Sequence, residues 1–250
     1  MLRIVLLLFA ALCGTLACTP SLARPLVEID VIDRDTGEWL PEYRHRSRSW
    51  IAGQPGHRYA VRLTNRSDRR VLVVLSVDGV NAVTGQTAHP SQAGYVLAPW
   101  QSTEVSGWRK SYDDVAQFVF TDLPDSYAAR TGRADHVGVI GIAVFEERVY
   151  PRYHDTPAIA RERSAPAAPA AAESAADATA QGLGTGHGAR EWAPVGRTTF
   201  ERASRTPAQV TELRYDDELG LAARGVLPRW TWPRREPEPR AFPGGFVPDP

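Results

Sequence analysis

The 250-residue chain has almost no cysteine, and its two cysteines, Cys13 and Cys18, both lie within the first eighteen residues. That segment is typical of an export signal, because Arg3 precedes the apolar run of residues 4–12. We therefore predict that residues 1–23 are a signal peptide and that the mature protein is periplasmic or associated with the cell envelope. A chain cleaved there has no thiol for a disulfide, for redox chemistry or for a cysteine nucleophile.

Cys18 leaves a lipid anchor as an alternative to simple cleavage. Residues 15–18 resemble a bacterial lipobox, in which a cysteine after a small residue is acylated, although an aliphatic residue usually stands where this chain has Thr15. Both routes begin with a positive charge that is followed by an apolar run. Simple cleavage after Ala23 is therefore the other interpretation. Lipidation at Cys18 predicts an outer-membrane lipoprotein, and cleavage after Ala23 predicts a free periplasmic protein.

The sequence also lacks long hydrophobic runs and any excess of charge of one sign. Its longest apolar stretch, residues 4–17, is shorter than the roughly 20 residues of a membrane-spanning helix. Residues 24–156 carry 16 basic and 17 acidic side chains, and residues 157–250 carry 12 of each. Neither half has the electrostatic pattern of a nucleic-acid-binding protein.

Catalytic and cofactor motifs are missing as well. There is no GxSxG serine motif, and the six histidines lie in no HExxH or HxH spacing that would put two metal ligands on one element. The sequence therefore predicts no catalytic residue, no metal site and no cofactor.

What is present is a strand-and-turn pattern between residues 25 and 150. Short runs rich in Val, Ile, Tyr and Phe are separated by Gly, Pro, Asn and Asp clusters. Strands are predicted at residues 26–32, 59–64, 71–77, 94–98, 103–108, 116–121 and 137–145, with a helical turn at 125–130. About seven strands without long helical periodicity indicate a mainly β fold, an immunoglobulin-like β-sandwich over residues 24–155, with a small barrel as the alternative.

The composition changes after this region. Residues 156–188, rich in Ala, Pro, Ser and Gly, are predicted to be a disordered linker. Residues 189–228 are predicted to be a small β/α segment, with strands at 198–202 and 209–215 and a helix over 217–224 capped by Asp216. Because this segment has few large apolar groups, we expect it to dock on the sandwich and to cover an edge strand. The proline-rich residues 229–250 are predicted to be a disordered tail.

Two groups of residues are candidate sites. If residues 44–50 are extended, Arg44, Arg46, Arg48 and Trp50 share one face and would bind an anionic polymer through their guanidinium groups. The competing interpretation is a solvated strand edge that blocks aggregation, with its charge balanced by nearby acids.

The second group consists of side chains in predicted loops and strand ends, where sandwich proteins often carry function: Asp78, Asp122, Asp125 and His187. Ordinary turn and capping roles are the favoured interpretation of the aspartates. His187 lies in the run Gly182–Gly188, whose alternating glycines match neither GxGxxG nor a P-loop, so a flexible linker end is the favoured interpretation over a ligand-binding nest.

Several runs of the sequence resemble those of uncharacterised exported, β-rich proteins of proteobacteria. They are Val77–Asn81, Gly94–Pro99, Gly107–Ser111, Asp125–Gly132, and Gly184–Gly188 leading to Thr199–Ser204. With the residues between them these runs cover about half of the chain. The resemblance implies an exported envelope protein and transfers no catalytic residue. It also implies that the region after the linker is a structural element.

The leading hypothesis is thus a non-enzymatic sandwich of the cell envelope that binds an envelope protein or an anionic polymer through its loops and the strip of residues 44–50. The alternative is an envelope hydrolase whose Asp and His residues converge only in three dimensions. A third hypothesis is a structural role in which residues 189–228 complete the sandwich.

Overall fold

The computed structural model describes residues 24–150 and 182–228, and over these residues the chain is mainly β, with two sheets. Sheet I contains β1 (Val27–Asp33), β4 (Arg58–Asn65), β8 (Ser102–Val105), β9 (Gly107–Arg109), β10 (Asp114–Asp122) and β12 (Leu183–Trp192). Sheet II contains β2 (Tyr43–His45), β3 (Arg48–Ala52), β5 (Val71–Val77), β6 (Val80–Asn81), β7 (Tyr95–Leu97), β11 (Val139–Glu146) and β13 (Gln209–Asp216).

In both sheets the order of neighbouring strands differs from their order along the chain. Sheet I runs β1-β4-β10-β12, with β8 beside β4 and β9 beside β10. Sheet II runs β2-β3-β13-β11-β5-β6, with β7 beside β5. The pair β3 and β13 is parallel, whereas the other neighbours in the described part of the chain are antiparallel. Residues after position 182 therefore supply an outer strand to sheet I and an internal strand to sheet II.

The main core lies between the two sheets, as in a β-sandwich. Alternate residues of each strand point into it, because successive side chains of a strand face opposite sides of the sheet. At its centre the rings of Tyr59 and Phe120 stack with centroids 4.1 Å apart, and Phe118 and Tyr215 pack within 5.3 Å of Tyr59 and 5.4 Å of Phe120 respectively. All four are completely buried, and each burial contributes about 2 kcal/mol or more of hydrophobic free energy.

The mainly β prediction is confirmed, and strand β5 is where sequence and structure agree residue for residue. The predicted central strand covers Val71–Val77, and both of its faces are buried. Its odd-numbered residues join the main core, while Leu72 and Val74 pack on the other face with Ala143 and Phe145. Every residue of the run except Ser76 is apolar, and each of these apolar residues is buried.

The glycine-rich run predicted to end the linker is a strand instead. Residues 183–188 begin β12, which pairs with β10 from Asp114↔Trp192 to Asp122↔Leu183. The glycines serve close packing: a Cβ on Gly184 would lie 2.6 Å from the Cβ of Ser126. Strands β12 and β13 therefore belong to the same two sheets as the strands of residues 27–146, so the region that was expected to dock on the sandwich contributes strands to it.

Two smaller predictions differ from the structure. Residues 99–102 join the predicted strands at 94–98 and 103–108 and have the length of a hairpin connection. In the structure β7 pairs with β5 in sheet II and β8 pairs with β4 in sheet I, so this connection crosses between the sheets. Residues 198–202 do not form a strand, and only Arg202 makes an isolated bridge, to Glu147.

The helices are short. Leu123–Asp125 and Ala134–His136 are 3₁₀ turns, and α1 spans Tyr127–Arg130 with Ser126 as its N-cap. Helix α2 spans Glu218–Ala223, and its N-cap is Asp217 rather than the predicted Asp216. The predicted signal peptide with Cys18, linker residues 156–181 and the tail from residue 229 lie outside the described residues.

Candidate binding groove

The predicted basic strip at residues 44–50 is a hairpin, not one extended face. Strands β2 and β3 pair with Arg44 opposite Ser49 and His45 opposite Arg48. Arg46 lies in the turn between them, where it and Ser47 have positive φ angles of 48° and 62°, as a two-residue type I′ hairpin turn requires. Arg48 and Trp50 therefore share one face of β3, while Arg44 lies on the other face and Arg46 at the tip.

The face that carries Arg48 and Trp50 is the outer face of sheet II, and it contains a groove of about 900 Å³. Its floor is formed by outward-facing residues of the two central strands, namely Val74, Ser76, Val139, Gly141 and Ala143. Strands β13 and β3 add Val210, Glu212, Arg214, Arg48 and Trp50. The rim includes Arg224 after α2, and His89, Pro90, Asp135 and His136 from two loops.

The groove occupies only part of this outer face because the chain covers the rest itself. Phe200 packs against the buried outer-face cluster that contains Phe145. The guanidinium carbon of Arg202 lies 4.1 Å from the centroid of the Phe145 ring. At Gly141, by contrast, an added Cβ would meet only the Thr211 carbonyl oxygen, at 3.9 Å. The floor of the groove at Gly141 therefore has open space above it.

Three arginines converge at the β3 and β13 side of the groove, and we call Arg48, Arg214 and Arg224 with Trp50 the basic corner. Burial lowers the pKa of the Arg214 guanidinium, and the charges of Arg48 and Arg224 lower it further, against the opposing effect of Glu212. Like charges are thus held close enough to repel one another. A bound anion would relieve that repulsion.

Two arginines of the basic corner are oriented by acidic neighbours. Arg214 Nη2 lies 3.5 Å from Glu212 Oε2. Arg224 Nε donates to Asp216 Oδ2 at 3.0 Å, and its guanidinium carbon lies 5.5 Å from the centroid of the Trp50 ring. Trp50 is only 5% exposed, yet its indole Nε1 has no hydrogen-bond partner among the described residues. An unpaired buried N–H is uncommon in a folded protein.

Asp78, one of the predicted loop-site residues, is fully buried between the sheets. Its Oδ1 accepts hydrogen bonds from Gly138 N at 2.8 Å and Tyr215 Oη at 2.6 Å, and its Oδ2 accepts one from Thr185 N at 2.7 Å. The Thr185 hydroxyl in turn lies 2.6 Å from the hydroxyls of Tyr59 and Tyr215. Burial raises the pKa of Asp78 to about 6, although these three hydrogen bonds oppose the shift. The network joins three strands and has no access to solvent.

The other predicted loop residues do not join Asp78. Asp122 and Asp125 are exposed at the ends of a 3₁₀ turn, and His187 is exposed on β12 with its ring centroid 5.7 Å from that of Tyr127. Across the β10 and β12 pair, His187 stands opposite residue 118 and Asp122 opposite residue 183. Four residues along a strand correspond to about 13 Å, so these side chains form no common acid and base pair.

Asp33, Asp35 and His57 form a further cluster, which the sequence did not single out, and its members bond to one another and to nearby residues. His57 Nδ1 and Asp33 Oδ2 are 2.6 Å apart, and Asp33 Oδ1 accepts from the backbone N–H groups of Asp35 and Thr36. Asp35 is paired with Arg58. The three potential ligand atoms of Asp33, Asp35 and His57 lie within 4.8 Å of one another, but their bonds are those of an Asx turn and an ion pair.

Comparison with protein-family models, with curated proteins and with solved structures gives no match to this chain. Within residues 24–150 and 182–228, no helix is long and apolar enough to cross a membrane. The groove and its basic corner are therefore interpreted from their own geometry.

Proposed function

We propose that this protein is an exported, immunoglobulin-like β-sandwich of the cell envelope that binds a partner through the groove on the outer face of sheet II. The observation that carries the proposal is the groove itself, a cavity of about 900 Å³ that is open in the described part of the chain and has a small-residue floor and a basic corner. Its volume lies within the range of known ligand pockets, about 300 to 1,000 Å³. Arg48 and Trp50 of the sequence-predicted strip line it, and Arg214 is a lining residue that the sequence did not suggest.

The partner we propose is an envelope component with negative charge, a protein or an anionic polymer. Guanidinium groups bind carboxylate and phosphate oxygens through charge-assisted hydrogen bonds. The hydrolase alternative has less support, because Asp78 is enclosed and Asp122, Asp125 and His187 are spread over other positions. We therefore favour binding over catalysis.

Export is proposed from the N-terminal sequence, where Arg3 and an apolar run precede the small residue Ala23. The intact mass of the protein recovered from the envelope tests it. A mass that begins at residue 24 is expected from simple cleavage, whereas an acylated chain beginning at Cys18 would identify a lipoprotein. A chain that retains residues 1–23 would contradict export by this route.

The binding role is tested by closing the groove without straining the fold. Gly141→Leu places a side chain on the groove floor, where the glycine has no positive φ and a Cβ meets nothing closer than 3.9 Å. Gly196→Leu is the matched control, because Gly196 also has open space and does not line the groove. We expect mild crosslinking in the envelope to recover a specific partner with wild type and Gly196→Leu but not with Gly141→Leu. Equal recovery with all three would refute the groove as the binding surface.

A further inference from the structure

The loop of residues 98–101 holds a tryptophan in a conformation that favours glycine. Trp100 has a positive φ angle of 61° and is 65% exposed. Gln101 N donates to Ala98 O at 3.2 Å, so Pro99 and Trp100 are the central residues of a β-turn. Proline followed by a residue of positive φ is the pattern of a type II turn, where glycine is preferred at the second central position. The fold therefore gains little from this exposed ring and bears a conformational cost for it.

This loop lies at the end of the sandwich where the described chain begins. Trp100 N donates to Ser67 O at 3.3 Å, and Arg66 N donates to Leu26 O at 2.7 Å. A chain cleaved at the predicted site begins two residues before Leu26, and a chain acylated at Cys18 carries its lipid eight residues before Leu26. Any attachment that residues 1–23 provide is therefore made at this end.

Two more exposed side chains extend the apolar surface of the same end. Strand β11 ends beside the start of β5, since Glu146 pairs with Val71, which directly follows the 66–70 turn. Val149 and Tyr150 come soon after β11 and are 69% and 66% exposed. We call this part of the molecule the N-terminal end, and it consists of residues 24–26, 66–70, 98–101 and 147–150.

The charges of the N-terminal end are close to balanced. Its ion pairs, at N to O distances of 2.5 to 3.9 Å, are Arg66 with Glu28, Arg69 with Asp68 and Glu146, Arg70 with Glu147, and Arg148 with Glu201. Arg24 is a further cation of this end. Exposed aromatic rings without a large surplus of charge suit the headgroup layer of a membrane, where Trp and Tyr are enriched.

A membrane surface also fits the place where the chain begins. A single acyl chain holds a protein to a bilayer only marginally, and stable attachment needs a second contact. We infer that the N-terminal end of the sandwich binds the surface of a phospholipid bilayer, with the rings of Trp100 and Tyr150 in the headgroup layer. This inference rests on the proposed export and is independent of the groove, which lies on the outer face of sheet II.

Flotation of the exported protein with vesicles tests the role of Trp100. We expect wild type to float with phosphatidylcholine vesicles and, within about twofold, with vesicles that also contain phosphatidylglycerol, because the charges nearly cancel. Trp100→Gly should lower the bound fraction about fivefold or more, because the contact of one large aromatic ring is lost. Trp39→Ala is the matched control and should float as wild type does. Trp39 is 53% exposed and bridges Ile32, near the other end of β1.

The stability of Trp100→Gly separates a binding role from a structural one. Glycine adopts the positive φ of position 100 without strain. The substitution should therefore raise the midpoint of urea unfolding while it weakens flotation. A lowered midpoint would show that the ring is retained for stability and would overturn the inference.

A fluorescent label reports which end of the molecule touches the lipid. The cleaved chain has no cysteine, so the variants Pro99→Cys and Glu38→Cys can each be labelled at one site with an environment-sensitive NBD group. Both positions are exposed, and they lie next to Trp100 and Trp39 respectively. With vesicles, the emission of the label at position 99 should rise and shift to shorter wavelength, and that of the label at position 38 should not change.

Other results overturn the inference. Wild type that does not float has no membrane-binding end. Equal flotation of wild type and Trp100→Gly, or equal responses of the two labels, would indicate lipid contact by another surface. Loss of a crosslinked envelope protein in Trp100→Gly, without flotation of wild type, would indicate that this end binds a protein. Gly141→Leu should float as wild type does, so a failure of the groove proposal and a failure of this inference are distinguishable.

Discussion

Neutralising Asp78 should remove a specific component of the pH dependence of folding. The carboxyl group is completely buried, and its pKa is raised from 3.8 to about 6. Because the folded-state pKa lies above the unfolded value, the contribution of Asp78 to stability is fully present below pH 3.8 and is lost as the pH rises through about 6. At about 1.4 kcal/mol per pKa unit, the loss amounts to about 3 kcal/mol.

The measurement is urea unfolding of wild type and Asp78→Asn at a series of pH values from about 4 to 8, with the free energy of unfolding extrapolated to water. The asparagine cannot ionise, so the other titrating groups cancel in the difference between the two proteins. We expect wild type to lose most of this 3 kcal/mol relative to Asp78→Asn across the series. Any fixed cost of placing an amide opposite the N–H of Thr185 shifts the whole curve and leaves its slope unchanged.

A matched control is Asp122→Asn, which removes a carboxylate from an exposed position. It should change the free energy of unfolding by no more than about 0.5 kcal/mol. The reasoning about Asp78 is refuted if the difference between wild type and Asp78→Asn stays constant with pH. A difference that changes in the opposite direction would mean that the three hydrogen bonds outweigh burial and lower the pKa.

Three substitutions test other contacts by urea unfolding at one pH. Gly184→Ala should lower the free energy of unfolding by about 1 to 3 kcal/mol, since its Cβ would lie 2.6 Å from a neighbouring side-chain carbon. Gly182→Ala is the control, because a Cβ there has no contact under 3.7 Å. Equal effects of the two substitutions would contradict the packing argument. Thr185→Val should lower the free energy of unfolding by about 1 to 3 kcal/mol, because the buried hydroxyl of Tyr59 loses its hydrogen-bond partner. An unchanged free energy of unfolding would mean that this hydroxyl finds another partner. Arg202→Ala should cost about 1 kcal/mol through lost contact with the Phe145 ring, and an unchanged midpoint would show that this cover is not stabilising.

The local sequence pattern predicted a strand such as β5, in which almost every side chain is apolar and buried. Val71–Val77 is apolar at nearly every position and is bounded by turn residues, so its limits could be read directly. Strand β12 was missed because Gly184, Gly186 and Gly188 have low strand propensity. Glycine is needed at these positions because of tertiary packing, since the side chains of Ser126, Thr121 and Val119 occupy the space that a Cβ would take.

Pairing between distant segments could not be predicted from local pattern. The connection at residues 99–102 has the length and composition of a hairpin, and nothing in it specifies that its two ends enter different sheets. In the groove, Arg48 and Trp50 were suggested by their spacing along one strand. Arg214 was not, because it reaches Trp50 through a parallel pairing between residues more than 160 positions apart.

The position of β13 inside sheet II has a consequence for the order of folding. The β2 and β3 hairpin is joined to the rest of its sheet through β13, so the first 150 residues can form β5 and β11 early but cannot attach Trp50 until residues 209–216 arrive. A chain made or translocated from its N-terminus must therefore keep this incomplete sheet from aggregating until β13, the last strand of the described residues, has been added. Closure of the groove wall and completion of the fold are, in this molecule, the same late event.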